Sequence, residues 1–162
     1  MTLSPNENRV LERIDLDGML SFLGELVAIP SEGGAETPAQ ERVAGWMEEN
    51  GLEVDVWELD LEDLKTHPAY SAEVEREEAL GVVGVFGENG DGKTLILNGH
   101  VDVVPPGDPS LWAFSPWDGS VLDGWVRGRG ALDMKGGLAC ALFAAKAIQD
   151  AGVRLRGRLV LQ

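Results

Sequence analysis

The chain has 162 residues, 44% hydrophobic and 25% charged, a globular composition with room for one domain and its core but not two. Its net charge is −15 and lies in the first half: residues 1–80 hold 20 acidic and 5 basic side chains, residues 81–162 hold 8 of each. An acidic surface repels phosphate backbones, which argues against nucleic acid as a partner. The one cysteine, Cys140, excludes an internal disulfide and reads as a small core residue. No apolar run approaches the roughly 20 residues of a membrane span. Residues 1–13 are polar and lack a signal peptide's apolar core. No membrane partner is expected, and a cytoplasmic protein is the default.

Residues 15–29 predict an amphipathic helix: Leu16, Met19, Leu20, Leu23 and Val27 recur at intervals of three and four, and Pro30 stops it. After a loop at 31–36, Thr37-Pro38-Ala39-Gln40 reads as a capping box, with Thr37 at the N-cap, Pro38 at the first helical position and Gln40 at the third. That helix runs to Asn50 with Val43, Trp46 and Met47 inward, and Gly51 suits the left-handed position past its end. Val54 and Val56 alternate with Asp55 and Trp57 as in a strand. Residues 60–79 are acidic and weakly patterned, a surface excursion with a short helix near 61–64. His67 within it is expected to face solvent.

Residues 81–86 form a strand pattern. Then Gly87-Glu88-Asn89-Gly90-Asp91-Gly92-Lys93-Thr94 matches G-x-x-x-x-G-K-[ST], the phosphate-binding loop of many NTPases. That loop needs its Lys and Thr to open a helix, so that backbone N–H groups cradle phosphates. Here Leu95-Ile96-Leu97 leads straight into Asn98-Gly99, and Asn89-Gly90-Asp91-Gly92 has hairpin-turn chemistry. A phosphate-binding NTPase domain is carried only as an alternative.

Within residues 93–104, Leu95-Ile96-Leu97 and then Val101, Val103 and Val104 read as a buried strand and its exit. Side chains two apart on a strand share a face, so His100 and Asp102 project together if the strand persists. A neutral imidazole is a common Zn²⁺ ligand, and its other N–H goes to a carboxylate or carbonyl. Asp102 is either that partner or itself a ligand; the plainer alternative is a strand end with a satisfied His and a turn-forming Asp. Trp112, Phe114 and Trp117 in the following loop are expected to pack over a rim, and residues 120–127 read as a strand or hairpin arm. Asp133 precedes a helix predicted at 137–149 from Leu138, Ala141, Leu142, Ala145 and Ile148. It is either an N-cap or a group presented beside a helix N-terminus. A last strand at 156–162 is cored by Leu159-Val160-Leu161.

Together the two ends resemble the metal-site signatures of the M20 metallopeptidase and amidohydrolase family, which includes acetylornithine deacetylase, succinyl-diaminopimelate desuccinylase and aminoacylase. The family pattern is Gly-His-x-Asp-Val-Val-Pro, then a Trp, then Gly-Arg-Gly-x-x-Asp-Met-Lys-Gly-Gly. This chain has Gly99-His100-Val101-Asp102-Val103-Val104-Pro105, Trp112, and Gly128-Arg129-Gly130-Ala131-Leu132-Asp133-Met134-Lys135-Gly136-Gly137. One departure is Pro116-Trp117, a Trp where the family more usually has Phe. The resemblance implies that His100 binds one metal ion, that Asp133 bridges two, and that Asp102 serves catalysis by orienting His100 and tuning the site. It also implies a cis bond at Asp133–Met134, and an acidic excursion lying away from the metals. Arg129 is expected to be a structural ion-pair residue, and neither it nor Arg127 is assigned to substrate.

The implied fold is an α/β domain with a mixed, largely parallel sheet, helices on both faces, and the metal loops at strand ends. The implied reaction is hydrolysis of the amide bond in N-acyl amino acids or small peptides, with two Zn²⁺ ions, or Co²⁺ or Mn²⁺ in their place. In the family, a Glu-Glu pair, a further carboxylate, a late His and a lid and dimerisation domain follow the last strand. On that comparison residues 1–162 are the N-terminal part of a metallohydrolase catalytic domain, the isolated chain has little or no activity, and a homodimer is expected only of a longer chain. A catalytically inactive module of the same architecture is the alternative from another class.

Overall fold

The computed structural model describes residues 2–71, 74–88 and 90–162. In chain order its elements are α1 (Pro5–Leu11), α2 (Leu16–Ala28), α3 (Thr37–Glu49), β1 (Glu53–Glu58), α4 (Leu61–Thr66), β2 (Leu80–Phe86), β3 (Leu95–Leu97), a 3₁₀ turn (Pro109–Leu111), β4 (Val121–Leu122), β5 (Trp125–Val126), α5 (Lys135–Asp150) and β6 (Leu159–Leu161).

The helix starts differ from expectation in an instructive way. At α1, where the sequence reads only as polar, Ser4 and Glu7 form a full capping box: the Ser4 N–H donates to the Glu7 carboxylate at 2.6 Å and the Glu7 N–H to Ser4 Oγ at 3.3 Å. At α3, the capping box expected on Thr37 and Gln40 is absent. Glu36 is the N-cap and makes no side-chain cap bond. Gln40 is drawn away by a tertiary partner, donating from Nε2 to the Leu80 carbonyl at 2.8 Å and tying α3 to β2. α2 begins as expected, with Asp15 accepting from the Gly18 N–H at 2.9 Å. α3 ends as expected, with Gly51 at φ 75°.

β1, β2, β6 and β3 form one sheet in that order. β1 pairs antiparallel with β2, β2 antiparallel with β6, and β6 parallel with β3. The α/β class and the mixed sheet match the expectation; two details differ. Only one of these three pairings is parallel. The packed helices also gather on one face. Register puts Val54, Val82, Phe86, Leu97, Leu159 and Leu161 on the face that joins the core with α2, α3 and α5. Val83, Val85, Val160 and Ile96 have the opposite parity and lie outside that core.

β2 and β3 do not form a hairpin, because β6 lies between them. The connection crosses the start of β6. The Gly92 N–H donates to the Arg156 carbonyl at 2.9 Å, and Asp91 pairs with the Arg156 guanidinium at 2.6 Å. A Cβ on Gly92 would collide with the backbone of Arg156 and Gly157, so the glycine serves close approach rather than a hairpin turn. Asn89 lies outside the described residues. A strand rather than a helix follows Thr94, which removes the phosphate-binding-loop reading. β3 is also the outer strand of the described sheet rather than a buried one, with Leu95 58% and Ile96 56% exposed.

The core centres on three tilted rings. Phe22 of α2, Trp46 of α3 and Phe143 of α5 have centroids 5.6, 6.1 and 4.9 Å apart. α5 turns Leu138, Ala139, Leu142 and Phe143 inward, which leaves Cys140 on its outer side. The expectation of a core cysteine is thereby corrected: Cys140 is exposed, its Sγ 3.9 Å from Met19 Sδ. Phe143→Ala is expected to lower the unfolding free energy by about 3–5 kcal/mol in a urea titration. Cys140→Ser, one helical face away, is expected to change it by less than about 0.5 kcal/mol. Equal losses would contradict this core.

Candidate metal centre

Two irregular segments meet at the N-terminus of α5. The first leaves β3 at Leu97. No ladder continues through His100, but the alternation does: Val101 and Val103 are buried, while His100, Asp102 and Val104 face out. Val103 is held by the neighbouring segment, its N–H donating to the Ser31 carbonyl at 2.9 Å. Gly99 lets this segment lie against α5: a Cβ there would sit 3.3 Å from Leu138 and 3.5 Å from Met134.

The second segment leaves the β4–β5 hairpin, whose Asp123-Gly124 turn has φ of 51° and 81°, as a two-residue hairpin turn requires. Gly128 and Gly130 then take φ of 136° and 82°. A Cβ on Gly130 would stand 2.6 Å from Val103 and 3.2 Å from the Lys135 side chain. This turn therefore packs on the first segment and delivers Asp133 beside it. The Asp133–Met134 bond is cis. Met134, not Asp133, is the N-cap of α5 and makes no side-chain cap bond. The Asp133 carboxylate is 86% exposed and not engaged in capping.

His100 Nε2 stands 3.3 Å from Asp133 Oδ1. On the other edge of the ring, Nδ1 stands 3.1 Å from the Asp102 carbonyl and 3.2 Å from Asp102 Oδ1. With its proton on Nδ1, the imidazole donates to that carbonyl and turns the Nε2 lone pair toward Asp133. In that tautomer two acceptors face each other, and a shared proton or a metal ion satisfies both. Two tetrahedral ligands at about 2.0–2.1 Å from one Zn²⁺ stand roughly 3.3 Å apart, so nitrogen and oxygen donors here fit a metal ion in spacing and chemistry. Among the described residues no group of three or more His, Cys, Asp or Glu side chains could hold an ion. The structure thus brings His100 and Asp133 together as two donors, with Asp102 behind the ring.

Other expectations fare unevenly. His67 ends α4 in an exposed loop, its Nδ1 accepting from the Ala69 N–H at 3.2 Å. Trp112 and Phe114 pack edge to face, centroids 5.8 Å apart. Arg129 makes no ion pair among the described residues; its guanidinium lies 5.3 Å from the Trp112 ring centroid, as Arg127 lies 5.4 Å from that of Phe114. The flat guanidinium has found a ring rather than a carboxylate. The acidic excursion does not lie wholly apart either. Its Arg76 pairs with the buried Glu36 at 2.7 Å, and both line a cleft of about 380 Å³ that reaches Asn98, His100 and Asp102.

Lys135 was missed by sequence reasoning. Its side chain is wholly buried, and Nζ donates to the carbonyls of Leu26 at 2.8 Å and Ile29 at 2.9 Å, at the C-terminal end of α2. Burial pushes the ammonium down to about 8. No spacing rule announces a buried lysine; its only signal was its place in the second motif.

With this geometry in view, the comparisons identify the class. Residues 96–162 match the model of peptidase family M20/M25/M40. The N-formyl-4-amino-5-aminomethyl-2-methylpyrimidine deformylase of Bacillus subtilis is 36% identical over 125 residues, covering 76% of this chain and 26% of that protein. The succinyl-diaminopimelate desuccinylase of Methylorubrum extorquens is 52% identical over 59 residues, 36% of this chain and 15% of that protein. Among solved structures, human carnosine dipeptidase 1 superposes on 99% of this chain and 34% of its own, with a TM-score of 0.75 at 22% identity. An M20 family metallo-carboxypeptidase from Sulfolobus solfataricus covers 90% of this chain and 30% of its own, with a TM-score of 0.70 at 23% identity. The chain belongs to the M20/M25/M40 peptidase family. It spans less than a third of the length of the two enzymes named from Bacillus and Methylorubrum.

Gly130→Ala is expected to cost about 1–3 kcal/mol from the left-handed backbone alone, and more from the overlap with Val103. A denaturant titration would read this. A loss no larger than that of an exposed surface substitution would contradict the packing of the two segments.

Proposed function

We propose that this chain forms the N-terminal part of the catalytic domain of a metal-dependent hydrolase that cleaves the amide bond of N-acyl amino acids or small peptides. The observation that carries the proposal is the 3.3 Å approach of His100 Nε2 to Asp133 Oδ1, two exposed donors of the right chemistry facing one point. The presence of a deformylase, a desuccinylase and a dipeptidase among its relatives and structural neighbours supports the reaction class. Acetylornithine deacetylase-like specificity is the finer form of the proposal. Its support is the pair of motifs around His100 and Asp133.

In this reading His100 and Asp133 hold Zn²⁺, with Co²⁺ or Mn²⁺ as substitutes. A bound ion supplies polarisation of the scissile carbonyl and a lowered pKa for the attacking water. The chain's own residues do the rest of what can be assigned. The Asp102 carbonyl accepts from His100 Nδ1, which holds the ring in one tautomer and leaves Nε2 free to bind. The Asp102 carboxylate beside the ring strengthens Nε2 as a donor and makes Asp102 a positioning residue. No residue of the chain is assigned as general base. No helix among the described residues is long and apolar enough to cross a membrane.

The test is metal content by elemental analysis after Zn²⁺ loading and dialysis. The chain should retain zinc, and the double substitution His100→Ala with Asp133→Ala should abolish retention. Asp102→Ala should weaken zinc affinity by about 10-fold or more. Zinc held equally by the chain and the double variant would refute the assignment.

A further inference from the structure

Both motif segments are fastened to the same three residues, Ile29-Pro30-Ser31, which lie outside the stretch matched by the family model. Ser31 is wholly buried. Its Oγ donates to the Val101 carbonyl at 2.6 Å, and its carbonyl accepts from the Val103 N–H at 2.9 Å. Those bonds grip the residue after His100 and the residue after Asp102. Two residues back along the chain, the Ile29 carbonyl accepts from Lys135 Nζ at 2.9 Å, and Lys135 is two residues past Asp133.

We propose that Ser31 and Lys135 are positioning residues which, through Ile29-Pro30-Ser31, set the separation of His100 and Asp133. Burying a hydroxyl and an ammonium is unfavourable unless each is hydrogen-bonded, and packing alone would be served by apolar side chains. The Lys135 ammonium bonds to this segment and its helix, and the Ser31 hydroxyl bonds from the segment to Val101. The other links between the loops, Gly99 on Leu138 and Gly130 on Val103, are van der Waals approaches that tolerate sliding. Hydrogen bonds of fixed direction do not. The exposed side chains of His100 and Asp133 share no hydrogen bond with each other that could do the same work. The proposal rests on the metal reading only in taking that separation as the functional quantity.

The experiment is a proton nuclear Overhauser measurement on the metal-free chain, between His100 Hε1 and the Asp133 β-protons. It compares the wild type, Ser31→Ala, Lys135→Met, and Val43→Ala as a destabilised core control on α3. The contact should be present in the wild type and in Val43→Ala. It should be lost in Ser31→Ala and in Lys135→Met, and the zinc affinity of both should fall about tenfold. Ser31→Ala removes one hydroxyl and carries the test if Lys135→Met does not fold. Persistence of the contact in Ser31→Ala, its absence from the wild type, or its equal loss in Val43→Ala would overturn the proposal. Zinc uptake by the wild type is read separately: a contact intact without zinc uptake refutes the metal reading and leaves the positioning role standing.

Discussion

The site depends on how closely the backbone at Gly99 approaches the first turn of α5. With no side chain there, Gly99 lies against Met134 and Leu138, and His100 and Asp133 become neighbours although more than thirty positions separate them in sequence. Everything outward of that contact follows from parity. Val101 and Val103 turn into the core, at 8% and 5% exposure, so His100 and Asp102 must turn out together. Val103 in turn is the surface on which Gly130 rests, and the Gly130 turn ends at Asp133. The apolar residues between the polar ones are thus what aim the donors.

Beneath this layer runs a polar frame. Lys135 caps the C-terminal end of α2, where the negative end of the helix dipole favours a cation, while its own backbone begins α5. One side chain therefore joins the end of the second helix to the start of the last. A buried charge at such a junction fixes geometry more than it adds stability, because desolvation offsets much of what its hydrogen bonds contribute. The donors above it are exposed, as groups that must meet an ion and a substrate have to be.

Much of this was legible in the chain, and the rest was hidden for identifiable reasons. Period-3.6 patterns located α2, α3 and α5 because each buries one stripe; β2 and β6 showed as short apolar runs, and β1 as an alternation of which only Val54 is half-buried. The glycine-rich loops were legible because positive φ and close approach both demand glycine. Gln40 and Cys140 were misjudged because a tertiary hydrogen bond and a helical phase of a few tens of degrees decided them, and neither appears in a local pattern. Ser4 and Glu7 carried a readable capping box that the polar character of the terminus obscured. Arg129 was expected to pair with a carboxylate, but its neighbour in space is Trp112. The turn chemistry of residues 89–92 pointed to a hairpin, whereas β6, arriving last in the sequence, takes the place beside β2. Strand order of that kind is a long-range property that no window of sequence contains.

The chain has two histidines, His67 and His100, so one spectrum can address the central claim that the fold presents His100 Nε2 and Asp133 to a metal ion. A long-range proton–nitrogen correlation spectrum of the imidazoles, recorded while Zn²⁺ is added, should show His100 Nε2 shifting while Nδ1 keeps its proton and His67 stays still. A spectrum in which His100 does not respond, or in which both histidines move alike, would contradict it.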